Sequence, residues 1–283
     1  MCNSEELRNI NQTNFRVEKV LSTRSSVAIL TCHYNQLSYL EAFIESLRRT
    51  NFQRVGSYVV VIIDQGSTDG SREYLENLVR NTDRGELPLI VQFWKENKGF
   101  GEGMNRAYEA ARCYYPEFFV FVNNDVVFEQ SEWLERMLIT ARGGRDRGAI
   151  GPIANSGGAK IRQERGNSFV ESTQNDYQIG TLSGYCFMLD SSVASYRFAS
   201  QGWIFDPIFS LGYYEDSDLF EWIQEKNCEL WVSRGAYVYH KGRRTTQAIL
   251  PGRRQELLSK NKQIYLERWG RQPCALRLGK KRR

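Results

Sequence analysis

Short apolar runs alternate with segments of helical periodicity along the first 125 residues. The runs at 27–30, 58–63, 89–94 and 118–122 predict four strands, and the apolar spacing between them predicts three helices. The run at 58–63 has no polar alternation, so both faces of that strand are expected to be buried. Strands of this kind belong to a parallel sheet covered by helices on both sides. The pattern therefore predicts an α/β fold with right-handed crossovers.

Regularity falls in the second half of the chain. Apolar spacing predicts helices at 133–138 and from 219, and strands at 148–154, 185–189 and 236–239. Residues 155–178 are rich in Gly, Ser, Asn and Gln and predict a long irregular loop, a feature usually tied to function. The domain organisation that follows is an extension at 1–25, one domain at 26–250 with halves 26–128 and 129–250, and a C-terminal helix and basic tail at 251–283.

Composition restricts the class of protein. Of the 283 residues, 41% are hydrophobic and 25% charged, which is ordinary globular usage. No apolar run approaches the roughly 20 residues of a membrane span, and the first residues lack a secretory signal pattern. We therefore expect a cytoplasmic protein.

Charge is concentrated at one end. The net charge is +5, and residues 277–283 alone carry five basic side chains and no acid, so the remainder is neutral. Such a tail can contact the anionic inner face of the cell membrane. A neutral body lacks the broad basic surface of a nucleic-acid-binding protein, so no nucleic-acid partner is expected.

Polar clusters follow each of the first four predicted strands. They are Thr-Cys-His-Tyr-Asn at 31–35, Asp-Gln-Gly-Ser-Thr-Asp-Gly-Ser at 64–71, the glycine-rich segment 97–103, and Asn-Asn-Asp at 123–125. In open parallel sheets, ligands bind at the carboxyl ends of the strands. The sequence therefore predicts a ligand site at this edge.

Two of these clusters point to a nucleotide. Asp64 directly follows an apolar strand, where its carboxylate can accept hydrogen bonds from a base or ribose; the alternative is a residue that merely starts a turn. Gly99 and Gly101 allow the main chain to approach a ligand near a helix N-terminus. Met104 and Arg106 stand where a dinucleotide fingerprint needs its third glycine, which argues against a dehydrogenase.

Acids and a histidine supply candidates for chemistry. Asp125 ends a buried strand and is suited to a divalent cation that also binds phosphates. Glu215, Asp216 and Asp218 begin a predicted helix; they stabilise its dipole, but one of three acids is also a candidate general base. His240 closes a strand before a basic loop and suits a metal or phosphate site, or simply the surface.

These motifs, in this order, resemble family 2 glycosyltransferases with the GT-A fold, over about residues 26–246. Residues 64–71 are close to the family pattern D-N-G-S-x-D-G-S, and 97–105 resemble the N-x-G-x-G-x-G-x-N run of rhamnosyltransferase-like members. Asn-Asn-Asp at 123–125 stands at the D-x-D-type motif, with Asn in place of the first acid. Cys32 stands where the first loop usually has Pro.

The resemblance implies a single Rossmann-like nucleotide-binding sheet fused to a smaller acceptor-binding half. It implies an inverting sugar transfer from a nucleotide-diphosphate donor, with Asp216 as general base and Glu215 and Asp218 in support. Asp125 and His240 would hold Mg²⁺ or Mn²⁺. The residues implied in nucleotide-sugar binding are Thr31, Asn35, Asp64, Asn97, Gly99, Gly101 and Asn124.

The implied acceptor is a saccharide or a lipid-linked saccharide, and the implied process is the synthesis of a bacterial surface polysaccharide or glycolipid. Two alternatives stay open at this point. A sugar-nucleotidyltransferase has a similar α/β core, but usually a Gly-rich loop with Arg and Lys after its first strand, which 31–35 lacks. A non-catalytic nucleotide-binding module would use the basic tail for its interactions.

Overall fold

A computed structural model of the chain describes residues 26–81, 87–155, 176–242 and 252–274. The N-terminal extension 1–25, most of the predicted irregular loop 155–178 and the basic tail 277–283 lie outside these ranges. The strands of the first half are β1 (Val27–His33), β2 (Tyr58–Asp64), β3 (Leu89–Phe93), β4 (Phe118–Val122) and the short β5 (Val126–Val127). The helices between them are α1 (Leu37–Arg48), α2 (Ser71–Arg80) and α3 (Phe100–Arg112).

The second half adds four strands and four helices to the described chain. The strands are β6 (Arg147–Ala154), β7 (Tyr177–Ile179), β8 (Cys186–Asp190) and β9 (Glu229–His240). The helices are α4 (Trp133–Arg142), α5 (Ser191–Gln201), α6 (Glu215–Glu225) and α7 (Arg254–Trp269). Two differences from the sequence pattern stand out: α5 was not expected, and β9 begins well before the predicted strand at 236–239.

The nine strands in the described ranges belong to one mixed sheet, with the order β3-β2-β1-β4-β8-β6-β9-β5 and β7 paired to β9. The first-half strands β1 to β4 are parallel, as predicted. Strand β8 is antiparallel to β4 and continues the sheet into the second half. The predicted α/β fold with a single sheet is therefore confirmed, although the second half adds antiparallel pairing that the sequence did not indicate.

The core consists of two apolar layers, one on each face of the sheet. Along β2, Val60 and Ile62 enter one layer, and Val59 and Val61 enter the other. Helices α1, α2 and α4 cover the first layer, and α3, α5 and α6 cover the second. This double burial explains why the first-half strands lack polar alternation. Among the described residues, no helix combines the length and the apolar character needed to cross a lipid bilayer.

Helix α3 joins the two halves of the domain through buried hydrogen bonds and close packing. The buried side chain of Asn105 accepts hydrogen bonds from the Ile204 and Phe205 N–H groups (3.0 and 2.9 Å) and donates to the Phe205 carbonyl (2.7 Å). At the start of α3, Gly99 has φ +94° and forms a bridge with Leu211. A Cβ atom on Gly99 would lie 2.5 Å from the Leu211 Cα. The position thus requires glycine because the second half packs directly against it.

A chain of side chains buried at the sheet edge joins three loops. Ser71 Oγ donates to Asp69 Oδ1 (2.6 Å) and accepts from His33 Nε2 (2.9 Å). His33 Nδ1 then accepts from Asn124 Nδ2 (2.7 Å). The imidazole is therefore the neutral tautomer with its hydrogen on Nε2. Burial lowers the pKa of His33 to about 4, against the opposing charge of Asp69. His33 therefore connects the loops after β1, β2 and β4.

We expect Gly99→Ala to lower the free energy of unfolding by roughly 3 kcal/mol or more, because an unfavourable φ adds to a clash with the Leu211 main chain. Gly202→Ala is the matched control, since Gly202 also has φ +85° but has nothing within 4 Å of its Cβ position. Gly202→Ala should lower the free energy of unfolding by only about 1–2 kcal/mol. Equal losses in urea denaturation would contradict the packing explanation.

Lowering the pH from 6.5 to 4 should destabilise the chain through His33, by up to about 3 kcal/mol. The pKa of His33 is lower in the folded chain, so the unfolded chain takes up this proton first as the pH falls, and the effect levels off below about 4. His33→Gln removes the titration. The difference in unfolding free energy between wild type and variant, followed by denaturation across this range, should shrink towards pH 4; a constant difference would refute the assignment.

Candidate active site

The loops after β1 and β2 are joined through Ser67. Its Oγ accepts from the Asn35 N–H (2.8 Å), and its N–H donates to Asp64 Oδ2 (3.2 Å). Asn35 Oδ1 in turn accepts from the Thr68 N–H (2.8 Å). Asp64 is fully buried, and its Oδ1 has no hydrogen-bond partner. Burial raises the pKa of Asp64, so a donor group from a ligand at Oδ1 would stabilise its charged form.

Thr31 and Asn97 also hold unpartnered polar atoms near this edge. Thr31 lies in β1, fully buried, and its Oγ1 has no partner. Asn97 Oδ1 accepts from the Gly99 N–H (2.8 Å), while its buried Nδ2 is unpartnered. A buried polar atom without a hydrogen-bond partner destabilises the fold unless a ligand or a water molecule supplies the missing hydrogen bond.

The glycines after β3 pack closely against other parts of the protein. Gly101 lies against Phe205, with a 3.3 Å approach from its Cβ position, just as Gly99 lies against Leu211. Gly103 lies against Cys32 in the same way, at 2.6 Å. Protein atoms therefore fill the space that a side chain would take at these positions, and the approach of the main chain at Gly99 and Gly101 to a ligand stays a prediction.

Asp125 and His240 are brought together by the pairing of β5 with β9. Asp125 Oδ1 lies 3.3 Å from His240 Nε2, and Oδ2 accepts from the Gly242 N–H (3.2 Å). Asn155 holds the other side of His240: the His240 N–H donates to Asn155 Oδ1 (2.7 Å), and Asn155 Nδ2 donates to the His240 carbonyl (3.2 Å). The main chain around the pair is thus fixed from both sides.

The Asp125–His240 pair fits a divalent cation. Asp125 Oδ1 is buried without a hydrogen-bond donor and points at the His240 imidazole, which is a carboxylate–nitrogen donor set. Within the ranges that the structure describes, no group of three His, Cys, Asp or Glu side chains is arranged around a metal position. Mg²⁺ and Mn²⁺ commonly use one or two protein ligands and take the rest from substrate phosphates and water.

Asp216 is held at the start of α6 by main-chain donors. Its Oδ2 accepts from the Gly184 N–H (2.9 Å), and its Oδ1 accepts from the Ser217 N–H (2.7 Å). A Cβ atom on residue 184 would lie 2.6 Å from Asp216 Oδ2, so the contact requires glycine there. Burial raises the pKa of Asp216, against these hydrogen bonds.

Glu215 differs from Asp216 in its surroundings. Its Oε2 is buried without a partner, and burial followed by the charge of Asp216 raises the pKa of Glu215 well above the ordinary range. Because the main-chain donors contact Asp216, the negative charge of the pair resides on Asp216. Burial also raises the pKa of the Cys32 thiol, in β1, to about 12.

A two-residue segment, Gly184–Tyr185, connects the acid pair to the metal pair. Gly184 donates to Asp216, as described, while the Tyr185 ring stacks on His240 at 4.7 Å. The Tyr185 carbonyl accepts from the Asn123 N–H (2.8 Å), next to Asn124 and Asp125. Asp125, His240 and Asp216 are therefore arranged around one short segment.

Asp218 does not lie with Asp216, contrary to expectation. It is fully buried, and its Oδ2 pairs with Arg197 Nη2 at 2.8 Å. Its Oδ1 accepts from Arg268 Nη1 (2.8 Å) and Trp269 Nε1 (3.0 Å). Residues two apart in a helix point to different sides. Asp218 thus joins α6 to α5 and α7 instead of supporting the base.

The sequence reasoning missed several residues that hold the site in place. His33 and Ser67 lie inside the polar clusters at 31–35 and 64–71, so the sequence does give a signal that these side chains form hydrogen bonds between the two loops. Gly184, Tyr185 and Asn155 carry no comparable signal, because their importance depends on pairing between distant strands.

Comparison with known proteins adds the family. Residues 28–199, more than half of the chain, match the family model described as Glycosyl transferase family 2. No curated protein sequence is significantly similar to the chain.

Several solved structures share the fold. The mannosyltransferase PcManGT from Pyrobaculum calidifontis, in complex with GDP-Man and Mn²⁺, has a TM-score of 0.61 and 14% identity, over 92% of this chain and 69% of that one. Residues 1–349 of S. aureus TarS, in complex with UDP-GlcNAc, have a TM-score of 0.56 and 20% identity, over 77% and 59%. GalNAc-T7 with UDP, GalNAc and Mn²⁺ has a TM-score of 0.59 and 14% identity, over 79% and 44%.

At these identities the structural likeness carries the fold alone, and that fold is the expected GT-A type. The family match runs from β1 through β8 and includes the loops that hold Asp64 and Asp125. The chain belongs to glycosyltransferase family 2.

Proposed function

We propose that this glycosyltransferase moves a sugar from a nucleoside diphosphate donor to a hydroxyl group, with inversion of the anomeric carbon and Asp216 as general base. One observation carries the proposal: Gly184 holds Asp216 while the adjacent Tyr185 stacks on His240 of the Asp125–His240 pair. The proposed proton acceptor and the proposed cation ligand His240 therefore contact the same two-residue segment, an arrangement suited to a single displacement at a sugar diphosphate.

The donor would bind along the edge formed by β1, β2 and β4. Asp64 Oδ1 is suited to an N–H group of the base, and Thr31 and Asn35 would line the same pocket. Asn97 Nδ2, with the main chain at Gly99 and Gly101, would approach the ribose or diphosphate, and Asn124 would contact the donor beside Asp125.

The structural neighbours bind GDP-Man and UDP-GlcNAc, which supports a hexose donor. The glycine-rich segment 97–105 favours instead the rhamnosyltransferase-like members of the family. Hexosyl and rhamnosyl transfer are therefore the two donor classes to compare.

Asp125 and His240 would hold Mg²⁺ or Mn²⁺, which when bound stabilises the negative charge that develops on the departing diphosphate. The presence of Mn²⁺ in two of the neighbouring structures supports this assignment. The residues around the pair contribute rigidity: Asn155 and Gly242 hold the main chain and the second carboxylate oxygen.

Asp216 would remove the proton of the acceptor hydroxyl as its oxygen attacks the anomeric carbon and the bond to the diphosphate breaks. A positioned base typically contributes 10²–10⁴-fold. Glu215, with the higher pKa, keeps its proton and leaves Asp216 charged. One carboxylate is sufficient for a single displacement, whereas glycoside hydrolysis uses a pair.

The acceptor we propose is a saccharide or lipid-linked saccharide of a bacterial surface polysaccharide or glycolipid pathway, at the cytoplasmic side of the membrane. The basic tail 277–283 is the proposed membrane contact. Removing it should weaken binding to vesicles containing anionic lipid and leave transfer to a soluble acceptor unchanged.

Asp216→Asn should lower kcat by about 10²–10⁴-fold and leave nucleotide binding within twofold, because only the base is removed. Transfer is measured with the donor that most stabilises the wild type in a thermal-shift panel of nucleotide sugars, including dTDP-rhamnose. Glu225→Gln, the same charge change at the exposed end of α6, is the control and should behave as wild type. Wild-type rates in Asp216→Asn would refute the base assignment, and pyrophosphate release from a nucleoside triphosphate would favour a nucleotidyltransferase.

Chelation should abolish transfer, and added Mn²⁺ or Mg²⁺ should restore it, because the proposed mechanism uses a cation held by Asp125 and His240 to stabilise the departing diphosphate. Asp125→Asn should raise the Mn²⁺ concentration needed for half-maximal activity by about tenfold or more. Full turnover in excess EDTA would remove the cation role from both residues.

A further inference from the structure

The four residues before Glu215 adopt an unusual backbone conformation. Leu211, Tyr213 and Tyr214 have φ values of +63°, +74° and +72°, and Gly212 lies between them at +129°. Positive φ is unfavourable for residues with a Cβ atom, and it persists only where the surroundings enforce it. The segment 210–214 leads directly into the turn that carries Asp216, so whatever enforces it also determines where Asp216 lies.

The C-terminal helix α7 supplies the enforcing group. The side chain of Asn261 is fully buried, and its Nδ2 lies 2.7 Å from the Gly212 carbonyl, 3.2 Å from that of Tyr213 and 3.4 Å from that of Ser210. Three carbonyls thus converge on one amide group, which has two hydrogens to donate. The segment is also held by the bridge between Gly99 and Leu211.

Segment 210–214 is hydrogen-bonded to the first turn of α6. The Tyr214 carbonyl accepts from the Asp218 N–H (2.9 Å), which closes the first turn of the helix around Glu215 and Asp216. A rotation of the segment would therefore turn Asp216 away from the Gly184 N–H.

We propose that Asn261 is a positioning residue for sugar transfer: it holds segment 210–214 in the conformation that presents Asp216 to Gly184 and the acceptor. The proposal rests on the proposed function, in which Asp216 is the base. Asn261 lies beyond the residues matched by the family model, which end at 199.

Tyr265 on the same helix provides a matched control. It is also fully buried, and its hydroxyl donates to Glu221 Oε1 on α6 (2.9 Å). Tyr265→Phe removes this hydrogen bond but keeps the ring, which packs on Tyr214 at 5.2 Å. It therefore weakens the contact between α7 and α6 without removing a donor to segment 210–214.

The test compares wild type, Asn261→Ala and Tyr265→Phe by hydrogen–deuterium exchange resolved at the Gly184 amide and by transfer kinetics. In Asn261→Ala we expect exchange at Gly184 to rise about tenfold or more, and kcat to fall about 10- to 100-fold while the Kd for the nucleoside diphosphate changes less than twofold. In Tyr265→Phe we expect a lower Tm but unchanged Gly184 exchange and kcat.

Asn261→Asp keeps the size of the side chain and replaces the donor by an acceptor, so it should reproduce these losses if Asn261→Ala fails to fold. Equal Gly184 exchange in Asn261→Asp and wild type, or equal kcat losses in the Asn261 and Tyr265 variants, would overturn the proposal. If the wild type transfers no sugar, the proposed function fails on its own, and exchange at Gly184 still decides whether Asn261 positions Asp216.

Discussion

The antiparallel pairing of β8 with β4 determines where the rest of the second half can lie. Val122, the last residue of β4, pairs with Cys186, the first residue of β8, and the Asn123–Tyr185 hydrogen bond extends the ladder by one step. Because the strands run in opposite directions, the residues that enter β8 meet the residues that leave β4. This is why Gly184 and Tyr185 lie at the carboxyl edge of the parallel strands, within reach of both Asp216 and His240.

Much of the first half could be predicted because burial leaves a direct mark on its sequence. A strand such as β2 is apolar on both faces only when helices cover both sides, and the polar loops must then gather at its ends. The same reasoning located Asp64 and Asp125 correctly at one edge, although their roles in binding stay predictions. The strand pairing of the second half could not be predicted this way, because it mixes antiparallel pairs such as β4–β8 with the parallel pair β6–β9, and the paired strands are distant in sequence.

The acids of α6 illustrate a different limit. Glu215, Asp216 and Asp218 look equivalent as a cluster at a helix start, yet helical geometry sends them to different environments. Asp218 becomes part of a buried ion-pair network with Arg197 and Arg268, where loss of one partner would leave an uncompensated charge. The glycines after β3 are a similar case, because a residue without a side chain does not reveal whether a ligand or the protein itself fills the space.

The dependence of segment 210–214 on Asn261 also bears on the order in which the protein matures during synthesis. Domains generally begin to fold from the N-terminal side as the chain emerges from the ribosome. The parallel strands and the predicted cation ligands have all been made once the ribosome has passed residue 240. The carbonyls of segment 210–214 gain their Asn261 donor only later, when the helix that ends at Trp269 has been made. The proposed base Asp216 can therefore reach its final position only after α7 has been made, later than the parallel strands and the predicted cation ligands.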